Sequence, residues 1–143
     1  MKADNDKQSS IVAIVVPEDE RLDFLPRYFG KHMMLVETQI YHQFRNLCPH
    51  YTGGYWDFYE LSNGGCYLAP NGAHYRILHP GNYVNASASG DAAGIMATLY
   101  MLSHLSFTFA EDPFGDQLST LYHLLRDYAS DHPEASLIYR VID

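Results

Sequence analysis

The side chains that could carry chemistry in this sequence are eight histidines, two cysteines and seventeen carboxylates. Their spacing does not assemble a catalytic or metal-binding pattern. A tetrahedral metal site is announced by ligand pairs such as His-Glu-x-x-His or Cys-x-x-Cys, and neither occurs. His74 and His79 flank one expected strand, but five positions apart they point to opposite faces. His32, His42, His104 and His123 are scattered over helical segments. No Gly-x-Ser-x-Gly nucleophile elbow is present. Gly90-Asp91-Ala92-Ala93-Gly94 has the glycines of a phosphate loop without the Lys-Ser/Thr that contacts phosphate and its metal. It reads better as a helix start whose small residues let another element come close.

The carboxylates do come in pairs. Asp57 and Glu60, three apart on a strand, face opposite sides of a sheet. Glu111 with Asp112, and Asp131 with Glu134, sit where helix capping accounts for them. A general acid or base needs a neighbour that shifts its pKa, and spacing supplies none. No catalytic residue, cofactor or metal is therefore expected.

The elements that must position these groups follow from periodicity. A first helix begins near Pro17, with Glu18, Asp19 and Glu20 in its first turn and Leu22 and Leu25 on one face. Pro26 stops or kinks it, and Gly30 closes the segment. Met33, Val36, Ile40, Phe44 and Leu47 recur at helical spacing, predicting a second helix from Met33 to Cys48. Four strands follow: Tyr55–Glu60, Cys66–Ala69, His74–Leu78 and Tyr83–Ala88. Ser62-Asn63-Gly64-Gly65 predicts a hairpin with a type I′ Asn-Gly turn between the first two. Ser89 or Asp91 caps a nearly uncharged helix through Leu102, which reads as the central buried one. Asp112-Pro113 starts an amphipathic helix, and Asp131 and Glu134, at capping-box spacing, restart a short last one. The expected fold is α+β: a four-stranded antiparallel meander, with helices before and after it packed mainly on one face.

Composition sets the outer bounds. The length suits a single domain, 1–143, with residues 1–10 expected to be flexible. The apolar run Ile11–Val16 is too short for a leader, and a membrane span needs about 20 apolar residues, so a cytoplasmic protein is expected. Cys48 and Cys66 read as reduced core thiols. A net charge of −8 argues against nucleic-acid binding through phosphate neutralisation. It raises the opposite idea, DNA mimicry. Yet Glu18, Asp19, Glu20, Asp112, Asp116, Asp131 and Glu134 sit largely at helix starts, with Arg21, Arg27, Arg126 and Arg140 interspersed. The acidity is mostly a by-product of capping and leaves a protein partner as the better reading.

Aromatic density is the least ordinary feature. Tyr51, Tyr55, Trp56, Phe58, Tyr59, Tyr67, Tyr75 and Tyr83 crowd the strand region, where Arg76 is the only basic residue between Asn46 and Leu78. A base-stacking sheet without an electrostatic funnel holds nucleic acid poorly. Core comes first, then a protein interface.

Four stretches carry a family likeness: PEDERLDFLPRYFG (Pro17–Gly30), GGYWDFYELSNGGCYLAP (Gly53–Pro70), SGDAAGIMATLY (Ser89–Tyr100) and HPEASLIYRVID (His132–Asp143). Together the chain resembles the ArdB/KlcA antirestriction proteins of plasmids and other mobile elements. Asn71–Ala88 matches least, and Gly90 stands where alanine is expected. The resemblance implies an inhibitor of host type I restriction that blocks cleavage without mimicking DNA and has no assigned catalytic residue. Its implied partner is the restriction complex or an associated host protein. The surface expected to make that contact takes exposed members of the first hairpin, Trp56, Asp57, Tyr59 and Asn63, or the acidic C-terminal segment with Asp131, Glu134 and Asp143. The alternative is a small hydrolase acting on nucleotide or DNA intermediates, its histidines and carboxylates gathered by the fold.

Overall fold

The short apolar run near the N-terminus is extended. In the computed structural model, which describes residues 10–143, Ala13–Val15 forms β1. It pairs antiparallel with β2 (Trp56–Leu61), Val15 opposite Tyr59. Periodicity cannot reveal so short a strand, and by sequence Ile11–Val16 reads only as an apolar run. The flexibility expected of residues 1–10 lies, Ser10 apart, outside the described residues.

β2 continues through a tight loop into β3 (Cys66–Pro70), with Tyr59 opposite Tyr67 and Phe58 opposite Leu68. The loop differs from the type I′ turn expected. A type I′ turn needs positive φ at both centres, but only Gly64 takes it, at +97°, and Asn63 does not. The Gly64 N–H donates to the Leu61 carbonyl (3.0 Å) and the Leu61 N–H to the Gly65 carbonyl (2.9 Å). This is a three-residue hairpin loop with glycine in its left-handed position.

The α+β class and the antiparallel pairing hold, but the strands divide between two sheets. β1-β2-β3 form one, while β4 (Tyr75–His79) and β5 (Val84–Ala88) form a separate hairpin. The meander stops at β3 because a helix takes its outer edge. Thr98, fully buried in α3 (Gly90–Thr108), accepts from the Leu68 N–H (3.3 Å) and donates to the Leu68 carbonyl (3.4 Å). At Leu68, the middle of that edge, the groups that a fourth strand would have bonded are thus satisfied by one hydroxyl. Close approach makes this possible: a Cβ on Gly94 would lie 2.4 Å from the Ala69 Cα. The small residues of the Gly90–Gly94 segment serve as a packing surface, as expected.

The helices α1 (Arg21–Phe29) and α2 (Met33–Leu47) precede β2, while α4 (Pro113–Ala129) and α5 (Ala135–Ile142) follow α3. They cover both faces of the three-stranded sheet, not mainly one, which is why all five residues of β3 are buried. On one face Phe24 stacks on Phe58 (4.9 Å between centroids) and Phe44 meets Trp56 edge-on (5.1 Å). On the other lie α3 and α4, with Tyr128 against Tyr67 at 5.8 Å. The buried face of α1 is Phe24 and Phe29, not Leu22, which is 91 % exposed. Burial of two aromatic rings also carries the helix through Pro26, against the roughly 3 kcal/mol an interior proline costs. Cys48 and Cys66 are free and buried, and burial pushes both thiols up. Among the described residues no helix is long and apolar enough to cross a membrane.

Candidate functional site

The caps of the second half of the chain work as expected at two helices and not at the third. Ser89 caps α3, its hydroxyl accepting from the Ala92 N–H (3.0 Å), and the Asp112 carboxylate caps α4 through the Phe114 N–H (2.8 Å). The capping box expected of Asp131 and Glu134 does not form. Glu134 stands at the N-cap of α5 without a side-chain cap bond. Its carboxylate instead reaches across to α3, accepting from the Ser89 N–H (3.0 Å) and the Ser89 hydroxyl (2.5 Å). A carboxylate is favoured there because the start of α3 carries unpaired N–H groups and the positive end of the helix dipole.

One step along α3, Asp91 completes the cluster. Its two oxygens accept from the Tyr67 hydroxyl of β3 (2.7 Å) and from His132 Nε2 (2.8 Å). The other ring nitrogen of His132, Nδ1, accepts from the Glu134 N–H (2.9 Å). That bond leaves Nδ1 without a proton, so the proton facing Asp91 is on Nε2. His132 is 6 % exposed at its side chain. Burial alone would push the Asp91 carboxyl up, but the hydrogen bonds from His132 and Tyr67 outweigh it and hold Asp91 below its ordinary value. Burial first, then the bond to Asp91, pushes the Tyr67 phenol far up, so it remains a donor. Tyr59 stacks on Tyr67 at 4.7 Å, and burial together with the charges of Asp57 and Asp91 raises its phenol too.

Asp91, His132 and Glu134 therefore converge, as an enzyme would require, but in a saturated network. Both nitrogens of His132 are engaged, and the Ser89 hydroxyl donates to Glu134 while accepting from α3. No group of three or more His, Cys, Asp or Glu among the described residues is arranged to hold a metal. What the cluster does is lock β3, the start of α3 and the entry to α5 together.

The residues expected to form a contact surface separate on this framework. Trp56 is corrected outright: it is 4 % exposed, its Nε1–H donating to the Tyr51 hydroxyl (2.6 Å), because it faces α2 and not solvent. Asn63 spends its side chain on the loop and on α4, accepting from the Gly65 N–H and donating to the Leu124 carbonyl, both at 3.0 Å. Glu134 is engaged with Ser89. Asp143 forms a two-point pair with Arg126, at 3.0 and 3.1 Å. Asp57 is half-buried and accepts from Asn71 (2.9 Å), Tyr59 is half-buried, and Asp131 is exposed. The stack of Tyr59, Tyr67 and Tyr128 runs from the hairpin to the Asp91–His132 pair, so the hairpin and C-terminal readings meet along one strip. Ser89, Tyr67, Asp91 and His132 were missed as a unit, since no spacing rule links a strand to helix starts 24 and 65 residues away.

Comparison with known proteins places this geometry in context. A family profile described as "Antirestriction protein" matches residues 49–143. Antirestriction protein KlcA of Escherichia coli is 45 % identical over 141 residues, covering 97 % of this chain and 99 % of that protein. A second E. coli KlcA is 45 % identical over 139 residues, covering 94 % and 95 %. Among solved structures, a chain from the work on KlcA and ArdB superposes with a TM-score of 0.87 at 47 % identity, covering 93 % of this chain and 95 % of that one. Those proteins are described as having a novel fold and antirestriction activity against Type I DNA restriction systems in vivo but not in vitro.

Proposed function

The chain belongs to the antirestriction protein family, and from that membership we propose that it inhibits host type I restriction, blocking DNA cleavage through contact with protein. The observation that carries this reading is the chain-long likeness, in sequence and in fold, to proteins with that activity. The partner is the restriction complex itself or a host protein associated with it. Activity of the solved relatives in vivo but not in vitro favours a component that the cell supplies. The action belongs to the cytoplasm and to one domain spanning 1–143. Within the contact surface we include Asp57, Tyr59 and Asp131, whose side chains reach solvent at least in part.

The disposition of charge supports protein contact over DNA mimicry. Asp91, Asp112, Glu134 and Asp143 each accept hydrogen bonds from protein groups, where a mimic needs a row of free carboxylates spaced like phosphates. A net charge of −8 weighs equally against direct nucleic-acid binding. Inhibition without catalysis fits the saturated network. The hydrolase alternative draws on one observation, the convergence of Asp91, His132 and Glu134 on Ser89, and requires Ser89 to leave both of its partners. Plating of unmodified phage on a type I-proficient host tests the main reading. Expression of the protein should raise plating efficiency, and unchanged restriction contradicts it.

A further inference from the structure

The chain is acidic, yet two of its cations share one cavity with no carboxylate within ion-pair distance of either among the described residues. Arg21, the first residue of α1, and Arg45, in the last turn of α2, line one cavity of about 420 Å³. Ion pairs account for Arg27 and Arg126, with Glu60 and Asp143, but include neither of these two. The Arg21 guanidinium carbon lies 4.1 Å from the ring centre of Phe58 and 4.7 Å from that of Tyr55, and its buried Nη1 makes no hydrogen bond. A buried donor left unpaired costs about 1–3 kcal/mol, so an acceptor that reached Nη1 would be favoured there. Contact with two aromatic rings restricts the guanidinium and favours its presentation to an acceptor.

The groups around it set the chemistry of that acceptor. Tyr41, Tyr51 and Trp56 wall the cavity, and the Trp56 indole and Tyr51 hydroxyl are already bonded to each other. Glu37, the one acid lining it, accepts from Tyr41 at 3.3 Å, and burial first, then Glu37, pushes the Tyr41 phenol up to about 12. A second cavity of about 340 Å³ shares Arg21, Glu37 and Phe58 and continues over Leu22, Leu25, Pro26 and Met33. Leu22 is 91 % exposed there, and the adjoining Met34 is 73 % exposed. The groove therefore has a cationic, aromatic half and an aliphatic half. A small anion would use only the first.

We propose that this groove docks a segment of another protein carrying a carboxylate next to an apolar side chain. The carboxylate meets Arg21 and Arg45, and the apolar side chain lies against Leu22, Leu25 and Met33. The inference rests on the reading that the protein acts through protein contact, and it adds to Asp57, Tyr59 and Asp131 a separate docking surface, which none of them lines, with its partner chemistry. Bidentate pairing of arginine with carboxylate supplies direction, and flexible Leu and Met side chains supply an adaptable apolar floor.

The test combines plating with cross-linking. Arg45 and Leu22 are both exposed, so Arg45→Glu and Leu22→Glu should keep the thermal midpoint of the parent. Each should lower protection of unmodified phage by about tenfold or more, the effect of losing one good charged or apolar anchor. A photo-cross-linking residue at position 22, in cells carrying the restriction system, should capture a protein segment in which mass spectrometry finds Asp or Glu beside an apolar residue. Arg45→Glu should abolish that capture. If the parent protects and both folded variants protect equally well, the groove is overturned while the antirestriction reading stands. If the parent gives no protection, that reading fails and the groove falls with it. Capture of nucleic acid, of a basic segment or of a second copy, or capture that survives Arg45→Glu, overturns the proposal.

Discussion

At the residue scale the cluster around Asp91 sets a pH dependence whose sign is fixed. The hydrogen bonds from His132 and Tyr67 hold the Asp91 carboxyl below its ordinary value of 3.8. A carboxyl lowered on folding stabilises fully above its unfolded pKa, and the contribution is lost as pH falls through the folded value. The window is therefore acidic, below about pH 4. Asp91→Asn should flatten the acid side of the stability profile measured by thermal unfolding. It should also cost about 1–3 kcal/mol at neutral pH, since the amide cannot accept from both Tyr67 and His132. A variant that keeps the parental acid profile would show that Asp91 is not held in this way. Ser89→Ala addresses the other half of the cluster. It removes a helix cap, a loss of about 0.5–2 kcal/mol, and leaves plating protection intact in an inhibitor. Loss of protection by folded Ser89→Ala protein would favour the hydrolase. Ser89 and Asp91 were legible in the sequence as candidates for the start of a helix, and Glu134 as a candidate cap. Their mutual bonding was not, because it depends on how α5 returns to the start of α3.

At the element scale, local signals placed the helices well and the sheet only in part. The apolar face Val36, Ile40, Phe44 and Leu47, the Ser89 cap and the Asp112-Pro113 start all stand where periodicity and capping put them. Strand pairing is non-local, and there the sequence reading ran out. It could not see that β1 joins the sheet or that Thr98 closes its far edge. Thr98→Val tests that edge. It keeps the shape and removes the partner of the buried Leu68 N–H, so the fold should lose about 1–3 kcal/mol in denaturant unfolding. No loss would mean that the edge is satisfied otherwise. The hairpin loop went wrong for a local reason: Asn-Gly favours a two-residue turn, but here Asn63 is needed for bonds to Gly65 and α4, which a three-residue loop allows.

At the scale of the whole molecule, a charge of −8 first suggests a decoy for DNA, and the structure distributes that charge otherwise. Asp91, Asp112, Glu134 and Asp143 are held in caps and internal bonds, while Arg21 and Arg45 line an aromatic groove. Family membership was legible from sequence stretches along much of the chain, whereas the groove was not. It is built from α1, α2 and the loop before β2, and only the fold brings those together. The measurement that bears most directly on the account is the plating efficiency of unmodified phage on a type I-proficient host with and without the protein. Efficiency should rise toward that on a restriction-deficient host when the protein is present. Plating that stays fully restricted, with the protein folded and expressed, would contradict the account.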